Sequence, residues 1–176
     1  MPSAVEPVSL ALERNWEMID SALEDMDDAT MNLRPNGESN SAAWILWHLT
    51  RVTDTFIHTR LRDSTQLWTK EAWHEKFGMS ADADERGVGW TAAQVEAWPA
   101  PSRDVQLGYY EAVKAHTRQY LDSVSEEELS RTIKLALRPE ARTIAAWMGQ
   151  MVWDSVAHGG QIAYLRGYYR GMGWFV

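Results

Sequence analysis

Apolar residues recur at threes and fours along four stretches of the chain, and no repeated strand pattern interrupts them, so the hydrophobic spacing predicts helices joined by loops. The first helix runs from Val8 to about Asp27, with Leu10, Leu12, Trp16, Ile19, Leu23 and Met26 in period and Pro7 in front of it, a residue suited to a first helical turn. "RPNGESNS" (34–41) is turn chemistry, and its last residues cap a second helix, "AAWILWHLTRVTDTFIHTRL", that reaches about Arg62. Val105, Tyr109, Val113, His116 and Tyr120 mark a third helix over 102–124. Thr143 caps the fourth, which extends to about Tyr168.

Between these lie two longer connections. Residues 64–101 form an insertion of mixed character, with short helical pieces, a capped turn at Thr91 and "PAP" as a stop, and long connections of this kind are often functional. After the third helix, "SEEEL" reads as a capping box from Ser125 to Glu128, and "TIKLALRPEAR" (132–142) as a partly extended loop. The pattern therefore predicts an all-α protein, an up-down four-helix bundle in which 64–101 and 125–142 are the long links.

Composition narrows the function classes. With 176 residues, 45% of them hydrophobic, the chain can bury one sizeable core, and a single domain over residues 1–176 is expected. A net charge of −8 with no cluster of Lys and Arg argues against a nucleic-acid partner, whose phosphates are met by basic side chains. No basic leader precedes an apolar stretch, and no run approaches a membrane span, so a soluble cytoplasmic protein with no membrane partner is expected. The absence of cysteine excludes disulfides, thiolate zinc sites and a cysteine nucleophile. A metal would have to be held by His, Asp, Glu or other oxygen donors.

The candidate chemistry is in the fourth helix. At 100° per residue, Ile144, Trp147, Met151, Ile162 and Leu165 fall in one stripe, and Asp154 and His158 fall inside it. A carboxylate facing the core needs a partner or a metal. The second helix supplies one in His48, at the edge of the face made by Ile45, Leu49, Val52 and Phe56. Metal sites in helical bundles are assembled from inward side chains on facing helices in this way, and three protein ligands leave a position for water or substrate.

The segments "SAAWILWHLTRV" and "VWDSVAHGGQIAYLRG", about 100 residues apart, resemble the two signature regions of the DinB-like superfamily. That resemblance implies a four-helix bundle of up-down-down-up type, commonly a homodimer, with a three-histidine metal site. His48 matches its first histidine and His158 its last, while Asp154 stands where the middle one usually lies. The set becomes two histidines and a carboxylate, adequate for zinc or nickel and also similar to the facial triad of iron enzymes. Relatives include metal-dependent transferases and isomerases that use a low-molecular-weight thiol, so the resemblance implies a small-molecule substrate and a thiol cosubstrate. In this reading Gln161 would hold a ligand or orient water, Arg166 would take a substrate carboxylate, and Trp44 and Trp47 would wall the pocket. No residue is assigned as catalytic.

Plainer readings accompany several residues. Asp54 and His58 repeat the four-residue spacing but lie about 100° from His48, toward Arg51 and Arg62, and read as a solvent-side pair. His116 reads as a hydrogen-bonded core histidine, and His74 as surface packing. Most of the ten tryptophans should be core, with Trp44, Trp47, Trp147 and Trp153 flanking the proposed ligands. Gly159 and Gly160 cost about 1 kcal/mol each in a helix relative to Ala, which a close helix approach or access to a metal would explain. The alternative to an enzyme is a catalytically idle bundle that binds a small ligand or a protein, with Asp154 and His158 as a hydrogen-bonded pair.

Overall fold

The structure, a computed structural model, describes residues 4–135 and 140–175. Its long helices are α1 (Glu6–Leu23), α3 (Ala42–Asp54), α7 (Arg103–Ser123) and α9 (Ile144–Arg170), and α3 continues without a break as a π-helical turn, Thr55–Leu61. Short helices fill the links: α2 (Asp28–Asn32), α4 (Leu67–Lys70), α5 (Trp73–Lys76), α6 (Ala92–Glu96) and α8 (Glu126–Ser130). The one small sheet among the described residues pairs β1 (Thr132–Ile133) with β2 (Arg142–Thr143), antiparallel, with Thr132 opposite Thr143. The "partly extended" reading of 132–142 thus holds at both ends, and residues 136–139 lie outside the described part.

Side-chain caps start the helices where the sequence places them. The hydroxyls of Ser41, Ser102 and Thr143 accept from the amides of Trp44, Val105 and Ala146, satisfying donors the first turn leaves open. Ser125 accepts from the Glu128 amide, but the Glu128 carboxylate turns to Arg131, so this is only half of a capping box. The reciprocal box is at Thr91 and Gln94.

Residue pairs across the interfaces set the helix directions. Asn15 meets Ser155 and Asp25 meets Arg166, so α1 and α9 run parallel. His48 faces His158 while Phe56 faces Trp147, so α3 runs against α9. Asp54 meets Tyr109 and His58 meets His116, which makes α3 and α7 parallel. Lys114 pairs with Asp20 and Arg118 with Glu13, which makes α7 antiparallel to α1. The order is up-down-down-up, not the alternating up-down arrangement that the spacing alone suggested. A parallel α3–α7 pair requires the chain to travel back along the bundle, about 30 Å for a helix of some twenty residues. The 64–101 segment makes that crossing.

The core between the helices is dense and aromatic. Ile19, Leu46, Ile57, Trp68, Tyr109 and Met148 have no accessible surface, and seven of the ten tryptophans are buried. The stripe predicted for the last helix is buried as expected, with Ile144, Trp147, Met151, Ile162 and Leu165 all at 5% exposure or less. Trp153 is the correction: at 66% exposed it points away from the bundle, as Tyr164 and Tyr168 do farther along α9.

Gly159 and Gly160 differ in their surroundings. A Cβ on Gly159 would stand 2.1 Å from Asn15 Oδ1, and Asn15 is held by two 3.0 Å hydrogen bonds to Ser155, so the α1–α9 approach depends on that glycine. Gly160 has nothing within 4 Å and is exposed. Gly159→Ala should therefore cost about 1–3 kcal/mol in urea denaturation through overpacking, while Gly160→Ala should gain up to about 1 kcal/mol. Equal effects at the two positions would contradict the close approach.

Candidate functional site

The antiparallel crossing of α3 and α9 brings His48 against His158. Their ring centroids lie 4.8 Å apart with planes at 83°. Asp154, one turn before His158, places Oδ1 3.8 Å from His158 Nε2. The three groups expected to converge are neighbours. Asp154 and His158 are not in the core, however: their side chains keep 26% and 19% of their surface, at the edge of the α9 stripe, whereas His48 is buried.

Local contacts decide which ring nitrogens are free. His48 Nδ1 faces the main-chain carbonyl of Arg86, which only accepts, so Nδ1 carries the hydrogen and Nε2 keeps its lone pair. Burial, the largest influence, holds the His48 pKa below the usual histidine value; the Arg86 carbonyl opposes it, and His158 adds to it. His48 is therefore neutral at pH 7. His158 Nδ1 stands 2.8 Å from Gln161 Oε1, so this ring too presents Nε2 as its open nitrogen, on the Asp154 side. Gln161, expected to hold a ligand or orient water, instead bonds the His158 ring.

The Arg86 carbonyl reaches His48 because of the glycine after it. Gly87 has φ of 75°, and a Cβ there would stand 2.6 Å from Trp44 and 2.8 Å from Trp47. Only glycine satisfies both the backbone and the space. Trp44 stacks on His48 at 5.0 Å with planes 5° apart, and Trp47 packs edge-on to Trp44. Both indoles are buried, packed against Trp98 and the partly buried Trp90, so they support the site from behind and do not wall the pocket as expected. Arg166 is also displaced from its predicted role: it is buried, bonded to the Gly171 carbonyl, paired with Asp25 and set over the Trp174 ring. It holds the chain end against α1.

A cavity of about 690 Å³ opens beside the histidines. His48 and Asp154 line it at one end of the α3–α9 crossing and Arg60 at the other, with Val52, Phe56, Trp147, Gln150 and Met151 between, and Lys134 also reaches it. The π-helical turn is the wall at that far end, contributing Thr55, Phe56, Thr59 and Arg60. An extra residue in a helical turn widens it and re-aims side chains, and such turns are frequent at functional sites.

The solvent-side reading of Asp54 and His58 is wrong. Asp54 is fully buried and His58 nearly so. The Asp54 carboxylate accepts from the amides of Leu67 and Trp68, at 3.0 and 2.9 Å, from the Tyr109 hydroxyl at 2.6 Å and from His58 Nδ1 at 2.7 Å. Arg51, also without accessible surface, lies 3.6 Å from it and donates to the carbonyls of Glu85 and Ala83 and to Gln66. His58 Nε2 in turn shares a 3.0 Å hydrogen bond with His116 Nδ1, so His116 is hydrogen-bonded as expected, though only half-buried. Arginines marked the wet face in the sequence reading because they are rarely buried. Here the crossover covers that face and supplies the carbonyls the guanidinium needs. His74 lies within the crossover, bonded to the Trp68 carbonyl and partly buried.

The DinB superfamily profile matches residues 11–162, and the chain belongs to that superfamily. It is similar over 98% of its length, at 27% identity and a TM-score of 0.85, to a conserved protein from Enterococcus faecalis of known crystal structure, all of which is covered. No curated protein matches.

That fold family implies a metal, and the donor set can be tested against one. In kind it fits: two imidazoles each have Nδ1 occupied by an oxygen and Nε2 open, with a carboxylate alongside, the arrangement in which metal-bound histidines are held. In spacing it is loose. Among the described residues no three His, Asp or Glu groups stand as a ready cluster for an ion.

The Asp54 network yields the prediction here. Burial is the largest influence on Asp54 and pushes its pKa up, but the hydrogen bonds from His58, Tyr109 and the Trp68 amide outweigh it, and the net value lies below the ordinary one. The unfolded chain, with its carboxyl near 4, takes the proton first. Stability from this group is thus complete above about pH 4 and drains as pH falls through the lower folded value. Asp54→Asn should cost about 3–5 kcal/mol at pH 7, measured by urea denaturation, and the gap to the parent should narrow in acid. A cost below about 1 kcal/mol would mean that the pair is dispensable.

Proposed function

We propose that the protein is a metal-dependent enzyme in which His48, Asp154 and His158 hold a divalent cation, zinc or nickel with iron as the further candidate, at one end of the cavity. The observation that carries this reading is the shared tautomer: both imidazoles offer Nε2 because an oxygen acceptor occupies each Nδ1. When bound, such a cation lowers the pKa of a thiol or water beside it, which suits transfer or isomerisation through a thiol, or hydrolysis. The chain has no cysteine, so a thiol would come from a low-molecular-weight cosubstrate.

The residues around the set have their own work. His48, neutral at pH 7, need lose no proton to become a ligand. Gln161 and the Arg86 carbonyl hold the two rings in orientation, and Trp44 shields one face of His48 from water. The apolar side chains of the cavity, Val52, Phe56, Trp147 and Met151, take the body of a small-molecule substrate, with Gln150 among them as a hydrogen-bonding group.

The loose spacing of the donors favours a second reading, a metal-free bundle that binds a small ligand in the same cavity. Metal analysis separates the two. Protein prepared without a metal-affinity column should carry about one equivalent of divalent metal by mass spectrometry, and His48→Ala, Asp154→Ala and His158→Ala should each lose it. Metal-free protein whose melting temperature is unmoved by chelator or added zinc would overturn the first reading and leave the second.

A further inference from the structure

A second pair of imidazoles meets away from the cavity, where α3 packs on α7. His58 lies ten residues past His48, about 15 Å farther along the helix, and its ring turns to His116 on α7 and not into the cavity. The Asp54 carboxylate, 2.7 Å from His58 Nδ1, only accepts, so Nδ1 carries a hydrogen and Nε2 is the outward nitrogen. It faces His116 Nδ1 at 3.0 Å. His116 is partly exposed, and its Nε2 has no partner among the described residues.

Two features of this pair suit a metal ion. The first is spacing: two nitrogens on a tetrahedral zinc, each about 2.0–2.1 Å from the ion, stand about 3.3 Å apart. At 3.0 Å the pair is within about 0.3 Å of that, and the half-buried His116 ring is the one with room to move. The second is the carboxylate behind His58, which holds the ring and strengthens its outward nitrogen as a donor, as carboxylates behind metal-bound histidines do. Asp54 is itself fixed by the amides of Leu67 and Trp68 and by Tyr109, so His58 is set in place before any ion arrives. Among the charged side chains beyond His58, Glu71 acts on His116 most strongly and favours a positive charge there, while Lys70 and Arg62 oppose it.

We infer that His58 Nε2 and His116 Nδ1 form a second metal site, for a divalent transition ion such as zinc or copper, with water completing the coordination. Imidazole donors favour these ions over magnesium or calcium. The hydrogen that the two rings share is displaced and passes to His116 Nε2 on the exposed side, so both rings become neutral ligands. Among the described residues no third His, Asp or Glu joins them in a cluster. With fewer protein ligands than the three or four of resident zinc sites, the ion is exchangeable. Bound there, it ties α3 to α7 and stabilises the fold without entering the cavity. The inference does not rest on the proposed function.

The test is calorimetric titration of zinc chloride into the chelator-stripped full chain carrying His158→Ala, which lacks one donor of the cavity site. This protein should take up about one equivalent of zinc. Adding His116→Gln, which keeps an amide donor for His58, should weaken that uptake by at least the tenfold to hundredfold that lesser changes around a metal ligand cost. In nitrogen-15 spectra, zinc should shift His58 Nε2 and leave the His116 hydrogen on Nε2. The spectra need no substitution at His116, so they decide the matter even if that variant does not fold. No zinc uptake by the His158→Ala protein, uptake unchanged by His116→Gln, or His58 and His116 signals unmoved at saturating zinc would overturn the inference. Zinc taken up by the parent and abolished by His158→Ala would remove this site and leave the cavity site; uptake that only the His116 substitution weakens would do the reverse.

Discussion

A buried ion pair organises this molecule. Arg51 and Asp54, one turn apart on α3, have no accessible surface, and the crossover that packs over them supplies most of the partners of Arg51 and half of those of Asp54, through the carbonyls of Ala83 and Glu85 and the amides of Leu67 and Trp68. Two charges out of water cost several kcal/mol each unless every lone pair and proton finds a partner. The crossover must therefore sit in one place. Its fixed position carries Arg86 and Gly87 onto Trp44 and His48, and so sets which nitrogen of His48 is open.

Seen this way, the long link between α3 and α7 is part of the site. It spans the bundle because those helices are parallel, and it contributes a carbonyl to one histidine and Arg86 and Val88 to the cavity wall. The opposite wall comes from α9 and from the β1 strand that Trp147 holds by a 3.3 Å bond to the Ile133 carbonyl. Neither wall is assembled from neighbouring residues alone.

What the amino-acid sequence discloses follows from how local each feature is. Helix periods and caps are short-range, and Ser41, Thr91 and Thr143 cap the elements they were expected to cap. The convergence of His48, Asp154 and His158 was legible because two repeating faces and a family resemblance pointed to one crossing. The burial of Arg51, Asp54 and His58 was not, since nothing within a helical turn says that a distant segment will cover that side. Trp153 misled for the same reason in reverse, because a tryptophan beside the ligands looks like core and here faces outward. Arg166 follows Gln161 on α9, but a partner just past the end of α1, Asp25, draws it away from the cavity.

The proposed metal site at the cavity depends on the proton positions of two rings. Nitrogen-15 NMR of histidine-labelled, metal-free protein at pH 7 reads them directly. It should show Nδ1 of both rings carrying a hydrogen, and His48 neutral with Nε2 the bare nitrogen and a signal that titrates below the usual histidine range. A His48 ring protonated at Nε2 at neutral pH would contradict it, because the crossover would then not be presenting an open nitrogen to the cavity.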